Sequence, residues 1–548
     1  MAFNMLVLTK RNQLIDILFL IVIYIVSILI VNPLGNFPLN DDWSSAHPVK
    51  SLVERGDWRP TGFTGMSLIT QSLWGAIFCI PTGFSFNALR FSTLTLTIVG
   101  IIGVYLLFIA NNRGRLLAAM AALTLAFNPI YYCLSFTFMT DVPFTALVIL
   151  SSIFFVRCIR RFGYLDFSIA CVLAVAATLC RQVGLFLPLA FAVALVMQRG
   201  FSRRCLLRAI LPSMVCVTVL MLFQQWMTIT GRMPFMYGTF GDPESRSMSI
   251  KAIASRTDMA LLYLGLFCLP ILLLGSTNRR LSTNSPLLRM LPVLLGGGFA
   301  LLSVYVSFGP LERWMPIGGN ILISEGLGPI AISEHWEKLP SWFWQIVTVL
   351  SIIGGTLLVT RIVAVSLVLI QQMTPYYTKD EDTIQIFFLT AAGVYLLPIL
   401  VGGLFDRYLV PLVPFLLYLN AHRLPREDVV ATIRKSGAAV LVAFSVVFSV
   451  AGTRDYLAWN RVRWEALTEL QQTAGVKAHD IDGGYEYIGW FLSDTIKQEN
   501  RNEIFWNKNA RYRIGSIEMS GFKVVKEYGY FNWMPPTPRT ILLLKKDS

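Results

Sequence analysis

The chain has 548 residues, of which 55% are hydrophobic and only 14% charged, with a formal net charge of +14. Soluble globular proteins carry roughly a quarter charged residues, so this composition excludes a soluble enzyme and predicts a polytopic α-helical membrane protein. The basic excess sits in short loops between apolar runs, which is the positive-inside pattern and not a nucleic-acid-binding face.

Lys10 and Arg11 precede the first apolar run, 13–32. They predict a retained signal anchor with a cytoplasmic N-terminus. The first loop, 33–87, then lies outside the cytoplasm. It contains "PLNDDWSSAHPVKSLVERGDW" (38–58), with Asp41 and Asp42 side by side. The pair could simply cap a helix, since Asn40 and Asp42 are both good N-caps, but an acidic pair directly outside a first span points more to function than to capping. Residues 65–83 are apolar enough to span. If they did, Arg113 and Arg115, after the next run at 88–110, would fall outside. Charge bias therefore predicts an in-plane or re-entrant helix there.

Further along, arginines alternate with loops poor in Lys and Arg. About thirteen spans are expected, near 13–32, 88–110, 115–129, 141–158, 165–181, 183–198, 209–228, 258–275, 289–308, 342–372, 384–402, 407–421 and 435–452. The run at 115–129 is short, and 342–372 is long and carries Arg361. Residues 1–452 form the expected membrane domain. After Gly452 come charges of both signs and short β-like runs, "GYEYIGW", "FKVVKEY" and "RTILLLKK", predicting a small α/β domain over 453–548. An odd number of spans places that domain outside the cytoplasm. The eight cysteines include no CxxC pair and imply neither a disulfide framework nor a zinc site.

Polar residues gather at the predicted outer ends of the spans: Asp41 and Asp42, Asp141 in "FTFMTDVPF", Arg181 and Gln182 in "TLCRQVGLFLP", and Asp406, Arg407 and Tyr408 in "GGLFDRYLVPLVP". Ionisable groups at span edges are costly and usually have a partner or a task. Singly, Asp141 could cap a helix, Arg181 could snorkel to headgroups, and Arg407 could pair with Asp406. Together they describe an anion pocket with a base nearby. Trp43, His47 and Gln182 are candidate sugar or acceptor contacts. A divalent metal is a minority expectation, with His335, flanked by Glu334 and Glu337, and Asp42 as its candidate ligands.

This order of motifs resembles bacterial membrane glycosyltransferases of the GT-C type, close to protein O-mannosyltransferases and lipid A aminoarabinose transferases. The resemblance covers about residues 10–450. It implies a helical bundle with in-plane helices in the first outer loop, and a polyprenyl-phosphate-linked sugar as donor. It also implies that Asp41, Asp42 and Asp141 are the catalytic acidic positions, and that Arg181, Arg407 and Tyr408 lie near the donor phosphate. Two departures stand out. The aminoarabinose enzymes carry "FEKPPL" where this chain reads "GFTGMSLITQSLWG", and 229–257 holds no histidine; both count against aminoarabinose as the sugar and against a bound metal.

The expected function is transfer of the sugar to a lipid, glycan or protein hydroxyl at the outer face of a bacterial inner membrane, with a loop aspartate as base and inversion at the anomeric carbon. A flippase for lipid-linked glycans and a ligase using polyprenyl diphosphate donors are the alternatives.

Overall fold

In the computed structural model, described for residues 2–238, 249–275, 285–329, 338–372, 379–421 and 429–547, the thirteen expected spans all fall on helical segments. In chain order the helices are α1 (Ala2–Val31), α2 (Asp42–Arg55), α3 (Ile69–Cys79), α4 (Phe86–Ala110), α5 (Arg115–Ala126), α6 (Pro129–Ser135), α7 (Asp141–Arg160), α8 (Tyr164–Cys180), α9 (Phe186–Arg199), α10 (Arg203–Ile229), α11 (Ile250–Leu274), α12 (Pro286–Phe308), α13 (Ser341–Gln372), α14 (Asp380–Gly402), α15 (Val413–Asn420), α16 (Val429–Thr468) and α17 (Tyr485–Leu492). Among the described residues, ten helical segments are long and apolar enough to cross a membrane, or eleven if the bent α5–α6 pair is one span. The protein is an integral membrane protein. The expected count of thirteen is reached only by adding α8, which is shorter, and the 3₁₀ turn Asp406–Leu412 that runs into α15.

Local chemistry explains the irregular segments. The α5–α6 pair bends by 63°. Asn128 sits at the break, its Oδ1 accepting from the N–H groups of Ile130 and Tyr131 ahead of Pro129, a capped restart. The long run at 342–372 lies within one helix, α13. Its Arg361 reaches the end of α11, donating to the Gly275 carbonyl at 2.7 Å and to the Leu272 carbonyl, carbonyls left over where a helix ends.

In the first loop, α2 ends at Gly56, whose φ of +67° closes the helix in the left-handed region. Helix α3 has 11 residues. At 1.5 Å per residue it is about half as long as the roughly 30 Å hydrocarbon core is thick. Residues 65–83 therefore do not form a full span.

Helix α16 has 40 residues and passes through position 452 without a break. The part beyond the expected span carries the C-terminal region. There a four-stranded sheet runs in the order β3 (Ile481–Asp482), β4 (Tyr512–Gly515), β6 (Pro536–Lys546), β5 (Phe522–Trp533), parallel only between β3 and β4. A separate pair, β1 (Leu322–Ile323) and β2 (Gly326–Leu327), lies in the loop before α13. "FKVVKEY" and "RTILLLKK" form strands as expected. "GYEYIGW" does not: it is α17, starting after Gly484 at φ +88°. Its one consecutive buried stretch, Glu486 to Gly489, packs against α2, and Gly489 lies so close to the Trp43 indole that no Cβ would fit. Tertiary packing overrides the strand propensity of its aromatics.

Three contacts tie the C-terminal region, the end of α16 and the first loop together. The Asp455 carboxylate of α16 accepts from the N–H groups of Trp533 and Met534, both at 2.8 Å. Arg463 of α16 pairs with Glu486 of α17 at 2.7 Å, both fully buried. Phe37 stacks on Trp464 with ring centroids 6.2 Å apart.

Candidate active site

Asp41 occupies the N-cap position of α2, yet its side chain makes no capping bond. Its carboxylate turns away from the helix. Oδ2 accepts from Arg407 Nη1 at 2.9 Å, and Oδ1 accepts from the Tyr485 hydroxyl at 2.7 Å. About a third of the Asp41 side chain remains exposed, against 12% for Arg407. The capping reading of Asp41 therefore fails, and so does the pairing of Arg407 with Asp406.

Asp406 has a separate role. It is buried and accepts from the backbone N–H groups of Asn320, Ile321, Leu322 and Arg407 at 2.7–3.1 Å. It ties the β1–β2 loop to the 3₁₀ turn and so fixes Arg407.

A second ion pair lies deeper. Arg181, in extended backbone at the end of α8, pairs through Nη1 with Asp141 at the start of α7, at 2.5 Å; both side chains are over 95% buried. Tyr408 joins the two pairs. Its ring has the Arg181 guanidinium 5.2 Å and the Arg407 guanidinium 5.4 Å from its centroid. The Nε of each guanidinium is buried with no hydrogen-bond partner among the described residues.

These groups line one cavity of about 500 Å³, within the usual size range of ligand sites. Asp41, Trp43, Asp141, Arg181, Arg407 and Tyr408 all contribute to its wall. Its near side carries hydroxyls: Ser44, Thr61 and Thr64 lie within 3.3 Å of one another, and Ser44, Ser45 and Thr64 face the cavity. The C-terminal region adds Tyr485, Arg501, Asn502, Ile504 and Phe505 to the wall.

Three expected site residues lie elsewhere. Asp42 is 2% exposed and off the cavity wall. Its two oxygens accept from Phe138 N at 2.7 Å and Leu39 N at 3.2 Å, and burial pushes its carboxyl up to about 8 against the pull of Arg90. It braces the loop and does not face the cavity. One helical step of about 100° separates it from Asp41, which is why neighbours in sequence face different surroundings. His47 is also off the wall, its ring 4.5 Å from Trp490, and burial lowers its pKa. Gln182 donates to the Gly65 carbonyl at 3.1 Å and ties the first loop to the end of α8. His335 lies outside the described residues. Among the described residues no three His, Cys, Asp or Glu side chains come together as a metal site, and Asp42 has its oxygens occupied.

Two supports of the site carry no motif in the sequence. Arg90 is 2% exposed and donates four hydrogen bonds to backbone carbonyls: Phe136, Pro33, Gly35 and Phe37, at 2.6–3.2 Å. It clamps the chain leading to Asp41 onto the segment leading to Asp141. Glu486 accepts from Asn40 N at 3.1 Å, next to Asp41. An arginine inside an apolar run was a visible signal at position 90, but its partners are carbonyls, which no sequence motif marks.

Residues 68–228 match the family model described as dolichyl-phosphate-mannose-protein mannosyltransferase. This is a glycosyltransferase family, and the match contains Asp141 and Arg181. A comparison with curated proteins finds no match. Among solved structures the chain is similar to ArnT from Cupriavidus metallidurans bound to undecaprenyl phosphate, at 14% identity and TM-score 0.37, over 96% of this chain and 97% of that one. The apo state of the same protein gives 14% and 0.39 over the same shares. The Archaeoglobus fulgidus oligosaccharyltransferase tethered to an acceptor peptide gives 11% and 0.41, over 93% of this chain and 70% of that one.

Proposed function

We propose that the protein transfers a sugar from a polyprenyl-phosphate carrier to an acceptor hydroxyl, at the membrane surface outside the cytoplasm. The observation that carries the reading is Asp41: an aspartate at a helix start that forgoes capping and presents its carboxylate to a cavity floored by two arginines. The family matched over 68–228 is named for a lipid-phosphate-linked sugar donor, and the arginine pair suits the phosphate of such a donor.

In this mechanism the acceptor hydroxyl lies against Asp41, which takes its proton as general base. The acceptor oxygen attacks the anomeric carbon as the bond from that carbon to the phosphate oxygen breaks. One displacement inverts the anomeric configuration. The leaving group is a phosphate monoester, whose growing charge is met by Arg407 and Arg181 with their unspent N–H donors. No carboxylic acid need protonate it, unlike the leaving alcohol of a glycoside hydrolase. A phosphate seated against Arg407 competes with Asp41 for the same guanidinium. Binding of donor thereby loosens the ion pair and frees Asp41 Oδ2 for the acceptor proton.

Product analysis tests the reading. Purified protein given a synthetic polyprenyl-phosphate sugar and a hydroxyl acceptor should release polyprenyl monophosphate. Release of diphosphate from a diphosphate donor would indicate a ligase. Movement of intact donor across a vesicle membrane without cleavage would indicate a flippase.

A further inference from the structure

The C-terminal region reaches the cavity through α17, and two consecutive residues of that helix hold two consecutive residues of the first loop. Glu486, fixed by its buried pair with Arg463, accepts from Asn40 N. Tyr485, one residue earlier, donates its hydroxyl to Asp41 Oδ1.

The tyrosine is itself held in place. Its ring meets Trp43 edge-on at 5.8 Å and stacks on Phe505 at 5.5 Å with 19° between the planes. Burial, with Asp41 beside it, holds its phenol well above the ordinary value, so it remains a donor.

A carboxylate gripped on one oxygen alone can swing about its χ angles. Here Arg407 takes one oxygen and Tyr485 the other. The Arg407 grip is the one an incoming phosphate would compete for, which leaves the tyrosine as the contact that persists.

We infer that Tyr485 is the positioning residue of Asp41, so that the region beyond α16 completes the active site and does not merely cover it. The inference rests on the reading of Asp41 as the base. It differs from a packing role, in which the ring matters and the hydroxyl does not.

The Tyr485→Phe variant keeps the ring and removes the hydroxyl. Two readouts are taken on purified full-length protein: steady-state transfer from a polyprenyl-phosphate sugar, and the rate of carbodiimide modification of Asp41, followed by mass spectrometry at fixed pH. The expected result is a kcat lower by about 10- to 100-fold, a part of the roughly 10²- to 10⁴-fold that a positioned base contributes in full. KM for the donor should stay within about twofold and the unfolding temperature should be unchanged, while Asp41 is modified several times faster because one oxygen has lost its donor. An Asp41 modification rate equal to that of the unsubstituted protein, or an unchanged kcat, would overturn the positioning role. If the unsubstituted protein transfers no sugar but the modification rates still differ, the glycosyltransferase reading falls and the Tyr485–Asp41 contact stands.

Discussion

Arg407 and Asp41 lie 366 residues apart in sequence and 2.9 Å apart in space. This pair joins the first loop to the turn before α15 and sets one edge of the cavity. Because Asp41 is partly exposed and accepts from two side chains, exchanging it for asparagine keeps an acceptor for Tyr485 while removing the proposed base. Asp41→Asn should fold normally, with an unfolding temperature close to that of the unsubstituted protein, and thermal melts in detergent check this half of the expectation.

The two arginines should respond differently to truncation. Arg181 and Asp141 are both buried, and removing one partner of a buried pair leaves an unpaired charge, costing about 3–5 kcal/mol. Arg181→Ala should therefore lose folded protein as well as donor binding. Arg407 is nearer the surface, so Arg407→Ala should remain folded and weaken donor binding by about 1.5–3 kcal/mol, the worth of a charge-assisted hydrogen bond. Arg407→Lys should recover only part, because a point charge replaces a planar fork. Size-exclusion profiles and donor titrations separate the two behaviours.

Asp42 predicts a pH dependence of stability. Its folded-state pKa of about 8 lies above the ordinary carboxylate value. Between about pH 4 and 8 the folded state keeps a proton that the unfolded state has released, so stability falls as pH rises through this window and levels off above it. In Asp42→Asn that component of the slope disappears. Unfolding temperatures measured from pH 5 to 9 for both proteins report it; parallel curves would show that Asp42 does not titrate there.

Much of this architecture is legible in the sequence because membrane insertion is written in hydropathy and charge. The runs of apolar residues locate the helices, and Arg113 with Arg115 suffices to read 65–83 as something other than a span. Asp41, Asp141, Arg181, Arg407 and Tyr408 stand out for a related reason: each is polar at the edge of an apolar run. The sequence does not say which member of an adjacent pair faces the cavity. Asp41 and Asp42 are separated by the start of a helix, and a single turn angle decides their fates. Nor does it mark Tyr485, one aromatic among several in the tail, whose importance comes from docking α17 on α2. The β-like reading of "GYEYIGW" fails for the same reason.

The tail should lie on the same side of the membrane as the cavity, because Tyr485, Arg501 and Phe505 form part of the cavity wall. A topology reporter fused to the C-terminus should score outside the cytoplasm, in agreement with one fused in the first loop. Opposite signals from the two fusions would contradict this arrangement.

The most direct measurement is transfer by Asp41→Asn from an anomerically defined polyprenyl-phosphate sugar to a hydroxyl acceptor, beside the unsubstituted protein. The unsubstituted protein should form polyprenyl monophosphate and glycosylated acceptor in equal amounts, with the anomeric configuration inverted. Asp41→Asn should be slower by about 100-fold or more, the scale of a lost general base. Near-normal turnover in Asp41→Asn, or retention of configuration, would contradict this mechanism.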